Sequence, residues 1–345
     1  MMQTDPLRSL SASLAKRLQA IDYDSLPISD YNKRYISAMR PALGYYLDIF
    51  AFCLRRGIEE TGLAPAEMTL IDYGGGSGFL SLFAKEAGFG RVVYIDLNPL
   101  SAATVEALRQ ASGTGPDVIL RGDSDSLAAY CRREGIAPQL LIATDLIEHV
   151  YDLERFFADL CTLNPGMRLI FTTASTPFNP FVRRRLHRFM QGCETGSLVT
   201  PNYFSRREAF IRRNYPQLSE REVELWSRRT RGLVYADIRQ AIEAKRLPCP
   251  PDKYNTCEPE TGNWAERILP IGAYRRLLSA YGYRLSLGKG FYNSRRSHRL
   301  SALVCRGLNV WIRRSGCLGF FIAPFLVFFA KPTDSNYILN KSPTF

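Results

Sequence analysis

The chain has 345 residues, 46% of them hydrophobic and 12% aromatic, which suffices for one large domain or a domain with a substantial insertion. Its formal charge of +12 is unevenly spread: residues 1–175 carry 16 basic and 21 acidic side chains, residues 176–270 carry 17 and 11, and residues 271–345 carry 12 and 1, with Asp334 the sole acid there. The eight cysteines form no CxxC pair and the opening "MMQTDPLRSLSASL" has no apolar core of signal-peptide length, so a disulfide scaffold and a secretory leader are not expected.

Residues 5–62 read as helix with breaks at Pro27 and Pro41, and the run Tyr45 to Gly62 ends on a glycine stop signal. From Met68 short apolar runs alternate with helical stretches: "MTLIDY", then 77–88; "RVVYID", then 99–112; "DVILRG", then 124–134; "PQLLIAT", then 152–163; and "MRLIFTTAS". Strands alternating with helices imply a parallel sheet covered on both faces. The expected fold is therefore α/β, a Rossmann-like doubly wound, mostly parallel sheet, with ligands at the carboxyl ends of its strands.

Residues 176–270 break the alternation; they are rich in Arg, Tyr and Pro, with helical pieces near 205–214 and 219–246. After them a helix and a strand return in "IGAYRRLLSAYGYRLSLGKGFYN", and "RLSALVC" reads as a last strand. This organises the chain as an N-terminal helical extension (1–65), a cofactor-binding core (66–175), an inserted helical cap over the acceptor (176–270), the end of the core sheet (271–306) and a basic, apolar C-terminal segment (307–345).

The most informative stretch is "DYGGGSGF", where Gly74, Gly76 and Gly78 follow a strand and precede a helix. Glycine tolerates positive φ and lets a ligand touch the backbone, and the helix start offers free N–H groups. A dinucleotide fingerprint needs a third glycine in G-x-G-x-x-G, and it is missing in both registers here, which argues against NAD or FAD. Asp96, at the tip of the second strand beside Leu97, suits the two hydroxyls of a ribose. Asp123 and Ser124, after the third strand, either accept from an adenine amino group or cap the next helix.

These residues resemble class I S-adenosylmethionine-dependent methyltransferases: an acid plus G-x-G-x-G at Asp72, Gly74, Gly76 and Gly78, a ribose acid at Asp96 and an adenine-side acid at Asp123. The stretch "ATDLIEHVYDLERFFADLCTLNPGMRLIFTTAS" is similar to the ubiquinone-biosynthesis O-methyltransferase type, through Glu148-His149 and Asn164-Pro165-Gly166. Two positions depart from it: Gln139 stands where an acid is usual early in strand four, and Met167 replaces a second glycine. The resemblance implies S-adenosyl-L-methionine as cofactor, Asp72 near its amino group or orienting the loop, and Gly74 and Gly76 against its methionine and ribose parts.

Methyl transfer to a hydroxyl needs positioning and removal of a proton. His149 is the best base by type, with a structural hydrogen-bonding residue as the other reading; Glu148, expected beside it in catalysis, reads as holding a backbone or side-chain partner in place, and Asp145, at the same strand tip, is expected to face the methionine end. His187 and His298 sit in basic surroundings and read as surface. Cys249 and Cys257 make a poor zinc pattern, so no metal is expected.

The arginine clusters (183–185, 206–207, 212–213, 228–229) suit planar anions but mostly read as solvated helix faces, and Tyr203, Phe204 and Trp226 read as acceptor walls or as core. "CLGFFIAPFLVFFA" (Cys317 to Ala330) holds no charge and is interrupted by Pro324. It is too short for a span of roughly 20 residues and reads as an interfacial segment or as a buried closing element. The resemblance to enzymes of lipid-like quinone precursors favours the interface. The expectation is O-methylation of a small or lipid-linked acceptor by a cytoplasmic protein, peripheral at the inner face of an anionic membrane. An RNA methyltransferase and a non-catalytic, membrane-associated cofactor-binding protein are the alternatives, with nucleic acid ranked below the membrane.

Overall fold

The computed structural model describes residues 6–197, 201–250, 252–296 and 298–333. Five strands run parallel, as the alternation predicts: β1 (Thr69–Tyr73), β2 (Arg91–Asp96), β3 (Val118–Arg121), β4 (Leu140–Thr144) and β5 (Arg168–Thr173). Between them lie the helices Phe79–Glu86, Pro99–Ser112, Ser124–Glu134 and Leu153–Cys161. A small antiparallel pair, β6 (Thr256–Cys257) and β7 (Trp264–Glu266), belongs to the segment after β5. The main sheet is completed by β8 (Tyr283–Lys289) and β9 (Leu326–Pro332), giving the order β3-β2-β1-β4-β5-β9-β8 with β9 antiparallel to both neighbours. This is the expected Rossmann-like doubly wound sheet, with helices on both faces and N-terminal helices at Pro6–Ala20, Asp30–Met39 and Leu43–Thr61.

The reversal at β1, between β2 and β4, opens a crevice at the strand carboxyl ends where ligands bind in such sheets. Gln139 has a structural task beside it: its side-chain oxygen accepts from Thr69 N at 2.7 Å and its amide donates to Ala137 O, tying the start of β4 to β1. Asn164 closes the turn into β5, its amide donating to Pro138 O and its oxygen accepting from Gly166 N.

At the end of the chain one expectation is corrected and another is narrowed. "RLSALVC" is not a strand; it opens the helix Arg299–Arg314, N-capped by His298. Its apolar residues follow a helical period, and β9 takes the sheet position instead. Of the two readings of the apolar run Cys317 to Ala330, the buried closing element holds for its second half, while Cys317, Leu318 and Phe321 in its first half are exposed. That second half, Leu326 to Ala330, is buried in the penultimate strand of the sheet, between β5 and the edge strand β8, where apolar residues face helices on both sides. No helix among the described residues is long and apolar enough to cross a membrane.

The segment after β5 forms helices Pro180–Thr195, Tyr203–Asn214, Glu220–Arg229 and Tyr235–Glu243, with a small core of its own around Ile211, Val223, Ile238 and Ile242. Trp226 packs against that core and Tyr203 is buried, so neither walls a ligand site. The arginine pairs mostly meet acids: Arg212 binds Glu220, Arg228 binds Glu224 and Arg206 binds Glu258. Arg207 differs, being fully buried against Glu194 and the Ser227 carbonyl.

Candidate functional site

The loop after β1 carries Gly74, Gly76 and Gly78 at φ of 65°, 52° and 73°, a backbone that a side chain resists. Two of these glycines serve different needs. A Cβ on Gly76 would meet nothing nearer than the Tyr35 hydroxyl at 3.8 Å, so its backbone lies bare toward a cavity. A Cβ on Gly78 would meet Val105 Cγ2 at 2.6 Å, so that glycine lets the following helix pack tightly. Only part of the glycine run therefore answers to a ligand; the rest answers to the fold.

The cavity lies at the β1–β2–β4 crevice, has a volume of about 870 Å³ and is lined by Gly74, Gly76, Asp96, Leu97, Asp123, Ser124 and His149, among others. Asp96 Oδ2 accepts from Gly76 N at 3.0 Å and its Oδ1 from Asn98 N at 2.8 Å. Each oxygen keeps a further acceptor site. Burial raises this carboxyl above its ordinary pKa, against the pull of those backbone bonds. Asp123 caps the helix Ser124–Glu134, accepting from Ser126 N and Oγ, while it also lines the cavity. Burial pushes Asp123 upward, but the Ser126 hydrogen bonds outweigh it and hold the group below its usual range. Ser124 Oγ donates to Asp159 at 2.6 Å.

Asp72 lies away from the cavity lining. It is buried, and its Oδ2 accepts from Ser81 N at 3.0 Å and Ser81 Oγ at 2.6 Å, which clamps the glycine loop to the first turn of the next helix. Burial lifts its pKa to about 7. Of the two roles the resemblance implied, contact with the cofactor's amino group and orientation of the loop, the geometry matches the second.

At the tip of β4, Asp145 is an exposed non-glycine residue at φ 55°, outside the cavity lining, with its N–H donating to Thr172 O. Glu148 does hold a side-chain and a backbone partner, as expected, but its expected place among the catalytic residues is corrected. It is fully buried, its Oε1 accepts from Thr173 Oγ1 at 2.7 Å and from Ala174 N, and its Oε2 has no partner among the described residues. Burial, with Asp145 and Glu266 nearby, holds its pKa well above the usual carboxylate value. Its place is behind the site, joining the ends of β4 and β5. His149 does reach the cavity, with its Nδ1 2.7 Å from the Trp264 carbonyl oxygen. A carbonyl only accepts, so Nδ1 carries a proton, and in the neutral ring the lone pair is then on Nε2. Trp264 N donates in turn to His149 O, so β7 and the β4 tip are stitched together.

Residues 45–215 match the family described as a methyltransferase domain. This stretch, residues 45–215, is a methyltransferase domain. S-adenosylmethionine is the cofactor that the motif residues Asp72, Gly74, Gly76 and Asp96 imply. Solved structures similar to it include S-adenosylmethionine-dependent methyltransferases from three organisms. The Aquifex aeolicus one has 17% identity and a TM-score of 0.28, covering 34% of this chain and 62% of its own. That from Archaeoglobus fulgidus has 14% identity and a TM-score of 0.38 over 88% and 100%. That from Mesorhizobium loti has 15% identity and a TM-score of 0.37 over 80% and 96%. These likenesses are too loose to place side chains. No curated protein sequence matches the chain.

The methyltransferase's own residues fit the cofactor. Asp96 presents open acceptor sites for ribose hydroxyls, the bare backbone at Gly76 admits a close neighbour, and the cavity volume lies within the roughly 300–1,000 Å³ of small-molecule sites. Several lining residues have no signal in the glycine and acid motifs: Tyr31, Asn32 and Tyr35 from the N-terminal helix, Tyr73 and Phe156 from the core, and Thr261 and Asn263 from the segment after β5. The spacing of Tyr31 and Tyr35 puts both rings on one helix face, where they stack at 6.4 Å between centroids. That spacing was the available clue. His187 instead stacks on Tyr254 at 3.7 Å and His298 caps a helix, so neither belongs to the site. Among the described residues no group of three or more metal-ligating side chains occurs.

Proposed function

We propose that the protein transfers the methyl group of S-adenosylmethionine to an oxygen of a small or lipid-linked acceptor at a membrane surface, in the manner of the ubiquinone-biosynthesis O-methyltransferase type. One observation carries this reading: the hydrogen bond from His149 Nδ1 to the Trp264 carbonyl leaves Nε2 as a base at the cavity wall. When bound, the cofactor supplies an electrophilic methyl on a sulfonium. Asp96 would accept from its ribose hydroxyls, and Gly76 would give its backbone room. His149 Nε2 would take the acceptor's hydroxyl proton as the oxygen gains the methyl, and pass it to water at the open side of the cleft. The Nδ1–H bond to the Trp264 carbonyl strengthens as the ring becomes positive. Tyr31, Tyr35, Tyr73 and Phe156 offer a planar, apolar acceptor an aromatic wall.

The experiment is transfer of labelled methyl from S-adenosylmethionine to polyprenylated catechols, simple catechols and bulk RNA, with the wild type and His149→Gln. Product ethers on a catechol oxygen, with His149→Gln retaining cofactor binding and losing about 10²–10⁴-fold in rate, is the expected result. Methylation confined to RNA, or an unimpaired His149→Gln, would sink it.

A further inference from the structure

The helix Arg299–Arg314 is apolar on two opposite faces, and among the described residues only one of them is covered. Its inner face, Ala302, Cys305 and Ile312, is buried. On the same side Asn309 accepts from Tyr292 N at 2.7 Å and donates to Tyr292 O at 2.9 Å, fixing the helix's rotation against the chain leaving β8. The other face is turned to solvent, with Leu300 and Leu303 each 64% exposed, Val304 54% and Trp311 45%. At roughly 3.6 residues per turn these four fall on one side, opposite Ala302 and Cys305. Arg299, Arg306 and Arg313 stand seven residues apart and therefore form one row along the edge of that face. No acidic residue occurs from 271 to 333, so nothing in this stretch neutralises them.

Single exposed leucines are ordinary, but a continuous apolar stripe beside an arginine row on a rigidly held helix is not. We propose that this helix docks the protein on an anionic lipid bilayer, lying in the plane of the interface with Leu300, Leu303, Val304 and Trp311 among the upper acyl chains and the three arginines on headgroup phosphates. Charge complementarity selects this occupant. The stripe is narrow and edged by unneutralised cations, which a second copy of the same face would repel, whereas an anionic surface attracts juxtaposed arginines and accepts a tryptophan at headgroup depth. The location is consistent with use. Lys289 at the end of β8 pairs with Leu326, which pairs with Thr173 at the end of β5, so the chain leads into this helix from the sheet edge where the cavity lies. The role in presenting a lipid-linked acceptor rests on the proposed function; the docking itself does not.

The test is flotation of the full chain with vesicles of phosphatidylcholine alone and of phosphatidylcholine with about 30% phosphatidylglycerol, at low and high salt. The wild type is expected to float with the anionic vesicles only, and to be released by salt. Arg299→Glu, Arg306→Glu and Arg313→Glu together should weaken this at least about 100-fold, at roughly fivefold per arginine lost. Leu300→Glu with Leu303→Glu should abolish it while leaving thermal stability and S-adenosylmethionine affinity as in the wild type, since each of these residues is 64% exposed. Flotation of either variant like the wild type overturns the proposal. So does a wild type that ignores vesicles and instead dimerises through this face by light scattering. Normal flotation with no methylation of any acceptor keeps the docking helix and removes the proposed function.

Discussion

Asp96 offers the sharpest test of how the cofactor site is held together. Its two oxygens accept from two backbone donors, Gly76 N at 3.0 Å and Asn98 N at 2.8 Å, and face the cavity with their remaining acceptor sites. Asp96→Asn keeps the shape but leaves one acceptor oxygen where two stood, so one of the two N–H groups loses its bond, and the negative charge goes as well. Hydrogen bonds to charged groups contribute roughly 1.5–3 kcal/mol, which corresponds to about 10- to 150-fold in affinity at 1.4 kcal/mol per decade. Asp96→Ala removes every acceptor and should reach or exceed the upper end of that range. The assay is calorimetric titration of each variant with S-adenosylmethionine, with NAD as the control ligand. A folded Asp96→Ala protein that binds S-adenosylmethionine within about twofold of wild type would refute the reasoning. The carboxylate would then serve the loop and not the ligand.

The two cavity-loop glycines should separate stability from binding. Gly76→Ala faces open space and should cost only its positive-φ strain, about 1–2 kcal/mol, while weakening cofactor binding; Gly78→Ala must also displace Val105 and should lower the urea midpoint further. Asp72, buried with its pKa lifted from 3.8 to about 7, gives a signed pH prediction. The folded state keeps its proton where the unfolded chain has lost it, so this group's contribution is greatest below about pH 4 and declines until about pH 7, by at most ~4 kcal/mol. Asp72→Asn should flatten stability between those limits in urea titrations, and an unchanged pH profile would argue that Asp72 ionises freely. Phe328→Ala, in the buried middle of β9, should cost about 3–5 kcal/mol, which a peripheral membrane segment would not show. Arg207→Ala should cost a similar ~3–5 kcal/mol by leaving Glu194 without its buried partner.

Much of the core was legible because its signals are local. Each of the first five strands is a short apolar run bounded by turn residues, and the helices after β2, β3 and β4 open at the caps Asn98, Asp123 and Asp152. Asp96 and Gly76 stand on the cavity for the same reason, since a strand tip followed by a helix start leaves few choices of direction. The C-terminal third was less legible. Leu326 to Ala330 reads equally as a core strand or as a segment for lipid, because both solvents select the same apolar residues; the neighbours β5 and β8, distant in sequence, decide between them. Arg299–Arg314 has the converse ambiguity, with β-branched and leucine residues that satisfy strand and helix patterns alike until the Asn309–Tyr292 bonds set its face.

The sequence by itself determined the sheet's alternating strands and helices, the bare backbone at the first strand's tip and the acid opposite it, because these depend on residue type within a few positions. Only the tertiary structure decided that Glu148 is sealed behind the site, that Tyr31 and Tyr35 roof the cavity from the N-terminal helix, and that a carbonyl 115 residues away sets the proton on His149. Those facts rest on contacts between segments that no local pattern encodes, since burial and hydrogen-bond partners are properties of the packed chain.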